Sequence, residues 1–533
     1  MNKHQTVSIP QPNRPLLWQP LHPFLVSYRQ LVGLLILALF VVRLLLASVF
    51  PLGTDESYYW YYTQNLQWNY FDHPPMVALL GRLFTANLAL QHSEVFVRMG
   101  SILSCAAATW FLFRATTLLY SERAGWYAAV LYNTSFYAGI VAGLLIMPDS
   151  PQMVFWTFSM WMIARIMKNE RNWSNWILLG IGAGLCIMSK VHGVFIWLGL
   201  GLYVLVQRRQ WLALPQLYVA AILTALVASP ILVWNVQHNF ATYRFHSQRV
   251  VISGWGVQYR KFITEILGQI LFNNPVNVAL TAWALTRGRK LLQRQMANLS
   301  VFLYMGLPLI FILLFVSLFR TVFPHWSGPA YVSLLPVAAI YLDRLKKSAL
   351  YPGWLRWSFG AFALFVVGWP LLVHTYPGTW GNRSTPALGR GDVSLDRFGW
   401  EEGGAAFGRF YRSEVARKSV APNTPLVCNT WWGAHVEYYF GRPQQLTMIG
   451  LGSMPQVHQY LWTNAIRKER VNFSNAFCIV PSDEWYNAEK QYSKYYENIK
   501  LVKIITTVRG GLKARHFYVY RLSRWKGLLP VVR

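Results

Sequence analysis

Eleven mostly apolar stretches recur along the first 374 positions, near 31–50, 95–113, 125–146, 151–168, 174–189, 193–206, 212–234, 262–286, 299–319, 328–342 and 357–374. At 1.5 Å per residue, segments of this kind approach the ~30 Å hydrocarbon core of a bilayer. The fifth and sixth are short and almost contiguous. No water-soluble arrangement hides so much apolar surface, because only 13% of the residues are charged while 54% are hydrophobic, against the roughly 25% charged that is usual in soluble domains. The expected fold class is therefore a polytopic α-helical membrane protein of about eleven spans. A string of soluble domains, a disordered chain, a coiled coil and a disulfide-stapled secreted module are all excluded.

The net charge of +29 taken alone would suggest nucleic acid, but no long basic run, zinc-finger spacing or RNA-binding signature is present. The placement of the charge says more. With a cytoplasmic N-terminus, the inner segments hold 18 Lys and Arg and the outer segments 7, with Arg208-Arg209, Arg287-Gly288-Arg289-Lys290 and Arg344-Leu345-Lys346-Lys347 all inside. That asymmetry sets orientation and makes anionic membrane lipid, not nucleic acid, the partner of the basic residues. About thirty mostly polar residues precede the first span, with no small-residue cleavage site, so the first span reads as a signal anchor rather than a cleavable leader. The expected organisation is a cytoplasmic segment 1–30, a transmembrane domain 31–374 and an outer domain 375–533. Arg43 lies within the first span, where it either snorkels outward or pairs with an acid.

Beyond residue 375 the character changes. The tail carries 22 basic and 11 acidic residues and no spanning stretch. Short β-rich runs at 425–428, 435–440, 477–480, 501–508 and 516–521 alternate with helical patterns at 455–470 and 484–497, which predicts a small α/β domain on the outer side. Cys428 and Cys478 fall on predicted strands, where a disulfide and two buried thiols are both open. The run Gly180-Ile181-Gly182-Ala183-Gly184 sits in mid-span with no strand before it, so it reads as close helix packing, not a dinucleotide loop. There is no Walker motif and no DxD-type nucleotide-sugar site.

The first outer loop, 51–94, is unusual: Gly53-Thr54-Asp55-Glu56-Ser57-Tyr58-Tyr59-Trp60-Tyr61-Tyr62, then Phe71-Asp72-His73-Pro74-Pro75-Met76. Stretches 57–67 and 75–90 are expected as interfacial helices lying along the head groups. Asp55 and Glu56 have an ordinary explanation as acids in the first turn of a capped helix. They have a functional one as carboxylates at the lipid–water boundary, able to take a proton from a hydroxyl or hold a cation. Asp149, in Met147-Pro148-Asp149-Ser150-Pro151, is either a helix cap or a second acid at the outer surface. Two such acids could share a divalent ion or divide base and orienting roles. Lys190 and His192 lie between the fifth and sixth spans, where a lysine either snorkels to head groups or neutralises a phosphate. The 235–261 loop, with His238, Arg244, His246, Arg249, Arg260 and Lys261, breaches the charge rule. So does Arg320, ahead of His325 and Trp326.

The Asp-Glu pair after the first span, the Asp-His-Pro-Pro turn, Met147-Pro148-Asp149-Ser150-Pro151, Ser189-Lys190, Pro324-His325-Trp326 and an outer α/β tail together resemble the polyprenyl-phosphate-sugar-dependent glycosyltransferases of superfamily C. The nearest branch is the bacterial group that is similar to dolichyl-phosphate-mannose–protein mannosyltransferases and includes the lipid A aminoarabinose transferases. The resemblance implies a bacterial inner-membrane enzyme with its outer domain in the periplasm. It would move a sugar, with inversion, from a polyprenyl-phosphate carrier to an envelope acceptor: lipid A, another glycan or a protein. It implies catalytic roles for Asp55, Glu56 and Asp149. Lys190, Arg244, Arg320 and His325 would bind the donor phosphate, and Tyr58, Tyr59, Asp72, His73 and Trp326 would contact substrate. A divalent metal ion is the one cofactor to consider, with Asp55 and Asp149 as its ligands. If the acceptor is itself a phosphate, Asp55 need not act as a base. The tail, hanging over the outer cavity, is expected to select the acceptor. The alternative is a lipid-linked sugar or polysaccharide transporter without chemistry, but such a protein would be expected to show internal repeats and charges deep in its spans.

Overall fold

The computed structural model describes residues 26–251, 256–345 and 352–530. Most of the cytoplasmic segment 1–30 and the pair Lys346-Lys347 lie outside the described residues. The helices run in chain order Tyr28–Val49 (α1), Thr54–Gln64 (α2), Met76–Phe84 (α3), Glu94–Leu119 (α4), Glu122–Thr134 (α5), Asp149–Lys168 (α6), Trp173–Ser189 (α7), Val194–Gln207 (α8), Pro215–Gln237 (α9), Ala241–Val250 (α10), Tyr259–Phe272 (α11), Pro275–Leu285 (α12), Arg289–Leu292 (α13), Met296–Ser317 (α14), Gly328–Arg344 (α15), Gly353–Thr375 (α16) and Trp400–Ala416 (α17). Of these, α1, α4, α9, α14 and α16 are each long and apolar enough to cross a bilayer, and α7, α8 and α12 are shorter apolar helices. This is a multi-pass membrane protein.

Local chemistry explains the helix boundaries. Ser27 and Gln30 form a capping box at the start of α1, and Ser121 and Asn172 cap α5 and α7. The expected single span at 262–286 is instead two helices. The chain turns at Asn273-Asn274, where Asn274 has φ +65° and Pro275 opens α12. The Asn274 side-chain amide donates to the carbonyls of Thr134 (2.8 Å) and Ser358 (3.0 Å), so neighbouring helices secure the break. Arg43 neither snorkels nor meets an acid. It is 4% exposed and donates to the carbonyl of Gly139 (3.1 Å) and to Asn133 Oδ1 (3.0 Å), using backbone oxygen that a π-helical turn over Tyr137–Val141 makes available.

Contacts between helix ends mark two ends of the bundle. At one end Arg29 meets Glu122 (2.9 Å), Arg123 pairs with Asp343, and Trp211 Nε1 donates to Glu170 (2.5 Å). At the other end Arg98 meets Glu56, Lys190 meets Asp149, and His246 meets the Asp72 carbonyl.

After α16 the chain builds a five-stranded mixed sheet over this second end. Its strands are Leu426–Cys428 (β1), Met448–Gly450 (β2), Asn475–Pro481 (β3), Tyr496–Arg509 (β4) and Leu512–Trp525 (β5), in the order β2-β1-β3-β5-β4. β1 runs parallel to β2 and β3, while β5 is antiparallel to β3 and β4. Four of the expected β runs lie in strands. The fifth, 435–440, is helical, continuing through Gly433–Val436 and Glu437–Gly441 with each of its residues buried. A segment enclosed on all sides carries no alternation to reveal a period. Of the expected helix 484–497 only Ala488–Tyr492 forms before β4 begins.

The pairing register settles the cysteines. Val427 lies opposite Cys478, so Cys428, one residue on, points to the other face of the sheet. Both are buried free thiols. Of the two helices expected along the head groups, α3 leaves Leu79 and Leu83 exposed, whereas α2 is enclosed by protein. Tyr58 through Tyr62 are all buried, with Tyr61 stacked on Tyr460 at 4.2 Å and Trp60 edge-on to Tyr438 at 4.8 Å. Loop and tail therefore share one core, because an aromatic helix buries more surface under a folded domain than at an interface.

The glycine run on α7 packs against other helices. A methyl group on Gly180 would stand 2.6 Å from the Ala220 carbonyl oxygen and 2.9 Å from its Cα on α9, whereas one on Gly201 meets nothing within 4 Å. Gly180→Ala should lower the unfolding temperature in detergent, by the equivalent of about 1–3 kcal/mol, and Gly201→Ala should not.

Candidate active site

The outer end of α1 leads through Pro51-Leu52-Gly53 into α2, and Glu56 holds that turn. Its carboxylate receives Arg98 Nε (2.8 Å) and Nη2 (2.7 Å), Arg397 Nη1 (2.5 Å), and the backbone N–H groups of Gly53 (3.0 Å) and Ile146 (3.3 Å). Arg98 uses its remaining donors on the carbonyls of Ala47, Phe50 and Pro51, which are the orphan acceptors that end α1. Burial alone would raise the Glu56 carboxyl, but the two guanidinium groups hold it far below the ordinary range. With every lone pair engaged and 1% exposure, Glu56 has no edge for a substrate. The catalytic role expected for it gives way to a positioning one.

Asp55, its neighbour, faces the other way. The side chain is exposed, and among the described residues it accepts no hydrogen bond and meets no cation within 4 Å. Protein around it removes much of the water that a free carboxylate would hold. That desolvation comes first, followed by the negative charge of Asp396, and together they push its pKa up to about 6. Asp396 belongs to the tail, where its Oδ1 accepts from Thr54 N (2.9 Å) and Thr54 Oγ1 (2.6 Å) at the start of α2. His435, stacked on Trp400 at 3.6 Å, reaches the same Thr54 hydroxyl at 3.1 Å. Gly53 is glycine because a Cβ there would lie 2.5 Å from Asp396 and 2.8 Å from Arg397.

Asp149 opens α6, and Lys190 ends α7. Lys190 Nζ lies 2.9 and 2.8 Å from the two Asp149 oxygens, and the Tyr137 hydroxyl donates to Oδ1 at 2.9 Å. Both partners of the pair are buried, so Lys190 is not a free cation. Its ammonium acts on His73, His192, His246 and His325 together. Burial, reinforced by that charge, holds His73 and His192 down to about 3 and His325 to about 4. The cluster at neutral pH is thus one compensated ion pair among uncharged imidazoles. His192 packs beside Trp326, with ring centroids 5.8 Å apart.

Asp72 joins the two groups. It accepts from Tyr58 (3.2 Å) and from Tyr62, and His458 Nδ1 lies 3.9 Å away. His246 Nε2 donates to its backbone carbonyl at 2.8 Å. Burial would raise its pKa, but His73, His458 and the Tyr62 hydrogen bond outweigh that and lower it. Tyr59, edge-on to His73 at 5.5 Å, carries a hydroxyl on which Asp72, Asp55 and Asp149 all act. The structure therefore brings Asp55, Glu56, Tyr58, Tyr59, Asp72, His73, Asp149, Lys190, His325 and Trp326 to one end of the bundle. Arg244 is exposed on α10, and Arg320 Nε donates to the Val251 carbonyl at 2.9 Å. Sequence reasoning missed Arg98, Tyr137, Asp396, Arg397 and His458. Arg98, a charge inside an apolar stretch, carried a signal; the others carried none.

A divalent ion shared by Asp55 and Asp149 does not fit this donor set. Both oxygens of Asp149 face the Lys190 ammonium, and a second cation there would meet like charge. Among the described residues no three His, Cys, Asp or Glu side chains are grouped to hold a metal.

Comparisons with known proteins agree with this geometry. Residues 72–234 match the family described as Dolichyl-phosphate-mannose-protein mannosyltransferase. The lipid A galacturonosyltransferase RgtD of Rhizobium johnstonii is 24% identical over 292 residues, covering 54% of this chain and 60% of that one. The chain thus spans less than two thirds of that relative's length. The crystal structure of ArnT from Cupriavidus metallidurans in the apo state matches with a TM-score of 0.62 at 14% identity, over 92% of this chain and 98% of that one. The same protein bound to undecaprenyl phosphate matches with a TM-score of 0.60 at 14% identity and the same coverage. The fold of this chain is thus that of ArnT, and its residues 72–234 share a sequence pattern with the mannosyltransferase family.

Two stability effects separate the neighbouring acids. Glu56→Ala strands Arg98 as an unpaired buried charge and should destabilise the protein by about 3–5 kcal/mol, seen as lost thermal stability in detergent. Asp55 behaves oppositely. Its folded pKa lies above its ordinary 3.8, so ionisation costs stability; the cost is absent below about pH 4, grows up to about pH 6 and is constant above. Asp55→Asn should unfold at a higher temperature than wild type at about pH 8, with the difference vanishing near pH 4.

Proposed function

We propose that this chain is a membrane glycosyltransferase that moves a sugar from a polyprenyl-phosphate carrier to an envelope acceptor, with inversion at the anomeric carbon. The observation that carries the reading is Asp55, an uncommitted carboxylate fixed on a braced helix turn beside a lysine–histidine cluster. The relatives give the substrates their chemistry: one is named for lipid A galacturonosyl transfer, and another was crystallised with undecaprenyl phosphate. The orientation is part of the proposal. The Asp55 end faces the outside of a bacterial inner membrane and the tail domain lies in the periplasm.

In this scheme the acceptor hydroxyl gives its proton to Asp55 as its oxygen attacks the anomeric carbon, and the bond to the carrier's phosphate oxygen breaks on the opposite face. The leaving phosphate gains one negative charge. Lys190, with three donors of which two are spent on Asp149, offers the third, and His73, His192 and His325 offer ring N–H groups. Fixed donors in a site shielded from water stabilise such charge far better than solvent does. The exposed Arg244, with Arg320, raises the local concentration of an anionic head group. Asp149 holds Lys190 in place. No step uses a metal ion. A transporter would have no need of a carboxylate held free of every partner.

Mass spectrometry of envelope lipids and glycans from cells with and without the protein identifies the product. Asp55→Asn, still folded and inserted, should lower transfer by about 10²–10⁴-fold; transfer at the wild-type rate would end the base role given to Asp55. Because the base must be ionised, kcat/KM for a hydroxyl acceptor should fall tenfold per pH unit below about 6 and flatten above it. A pH-independent rate through that range would mean that the acceptor needs no base.

A further inference from the structure

The carboxyl ends of the parallel strands β2, β1 and β3 take no part in the scheme above, yet in open sheets ligands bind beyond such ends. There β1 runs into Asn429-Thr430-Trp431-Trp432, and β3 runs into Ser482-Asp483-Glu484-Trp485-Tyr486. Trp431, Trp432 and Tyr486 are half-buried, and Trp432 and Tyr486 stand with ring centroids 6.2 Å apart.

Polar atoms are stranded among these rings. Asn429 Oδ1, Thr430 Oγ1 and Gln459 Nε2 are buried, and none has a hydrogen-bond partner among the described residues. Buried polar groups are almost always paired, so three such atoms around one loop point to a missing polar ligand. Gln459 is fixed by its other atoms, since its Oε1 accepts from Phe71 N at 2.9 Å and its N–H donates to the Tyr58 hydroxyl oxygen at 3.3 Å. His458 beside it has φ +47° and ψ −128°, a conformation that a non-glycine residue holds only when its surroundings impose it, and such residues gather at ligand sites. Its ring lies parallel to Trp431 at 5.8 Å.

An acceptor oxygen, a hydroxyl and an amide donor beside aromatic faces complement a sugar ring, whose hydroxyls both donate and accept and whose C–H face packs on an indole. The place suits the reaction. Trp431 packs edge-on to Tyr58 at 5.3 Å, and Tyr58 follows Asp55 by three residues on the same face of α2.

We propose that this end of the sheet binds a sugar ring of the acceptor, with Asn429, Thr430 and Gln459 hydrogen-bonded to its hydroxyls and Trp431 against its face. The acceptor is then a glycan or glycolipid head group and not a protein side chain. Its place in the reaction rests on the transferase reading, but the binding itself does not.

The test uses the full chain in lipid nanodiscs, with a bisphosphorylated glucosamine disaccharide (deacylated lipid A) as probe and calorimetry or saturation-transfer NMR as readout. Wild type and Asp55→Asn should bind the probe equally well. Trp431→Ala and Asn429→Ala should each weaken binding at least tenfold, and Trp431→Phe should restore part of it. Asn429→Ala removes little packing, so it remains informative if the Trp431 variant unfolds. No binding by wild type, or unchanged affinity in Asn429→Ala and Trp431→Ala, overturns the proposal. If transfer is lost in Asp55→Asn while probe binding ignores both tail variants, only this inference fails. If the tail variants lose the probe while Asp55→Asn transfers sugar normally, the base role of Asp55 fails and this sugar site stands; if wild type binds the probe but transfers no sugar, the transferase reading fails and the site stands.

Discussion

The buried contact of Glu56 with Arg98 and Arg397 is the constraint on which the half of the molecule that carries the tail domain depends. One carboxylate gathers a helix-borne arginine from α4, an arginine from the tail and two backbone amides from separate segments. Burying charges is expensive, and the cost is met only when every donor and acceptor is matched. Here they are matched by the carbonyls that end α1. The bracing delivers position: it fixes the turn from which Asp55 projects. The neighbouring acid can stay unpaired because the adjacent one takes all the pairing.

The same division of labour appears at the second acid. Asp149 and Lys190 pair with one another, and the surrounding imidazoles are kept uncharged by their own burial, reinforced by the Lys190 ammonium. In the proposed scheme, uncharged imidazole N–H groups and a third ammonium proton of Lys190 are what this cluster can offer to a phosphate that gains charge. Free cations are left to exposed positions such as Arg244, where they attract without being desolvated. Charge that steers and charge that acts are thus separated in space.

The tail domain belongs to the site physically. Asp396 caps α2 through Thr54, and Arg397 completes the Glu56 cluster. The tyrosines of α2 find their hydrophobic partners in the tail sheet and its loops. An outer loop of this composition, left bare, would expose Trp60, Tyr61 and Tyr62 to water. The acid-bearing turn and the tail loops therefore share one core, which ties the geometry of Asp55 to the loops that follow β1.

Apolar periodicity was enough to read the membrane class and the α/β character of the tail, because hydrocarbon and water act on each segment locally and leave their mark in its composition. That Asp55, Asp149, Lys190 and the Asp72-His73 turn gather at one end of the bundle was legible for a similar reason: polar side chains at the edges of apolar spans stand out against their surroundings. The break at Asn273-Asn274, the helix at 433–441 and the free thiols on opposite sheet faces were not legible, since each is decided by what packs against it from far along the chain. The same holds for the roles within the site. Adjacent acids at 55 and 56 are alike in sequence, and only the arrival of Arg98 and Arg397 makes one a brace and leaves the other available for chemistry; ion pairing between residues 42 and 341 positions apart is a property of three-dimensional packing that no local pattern encodes.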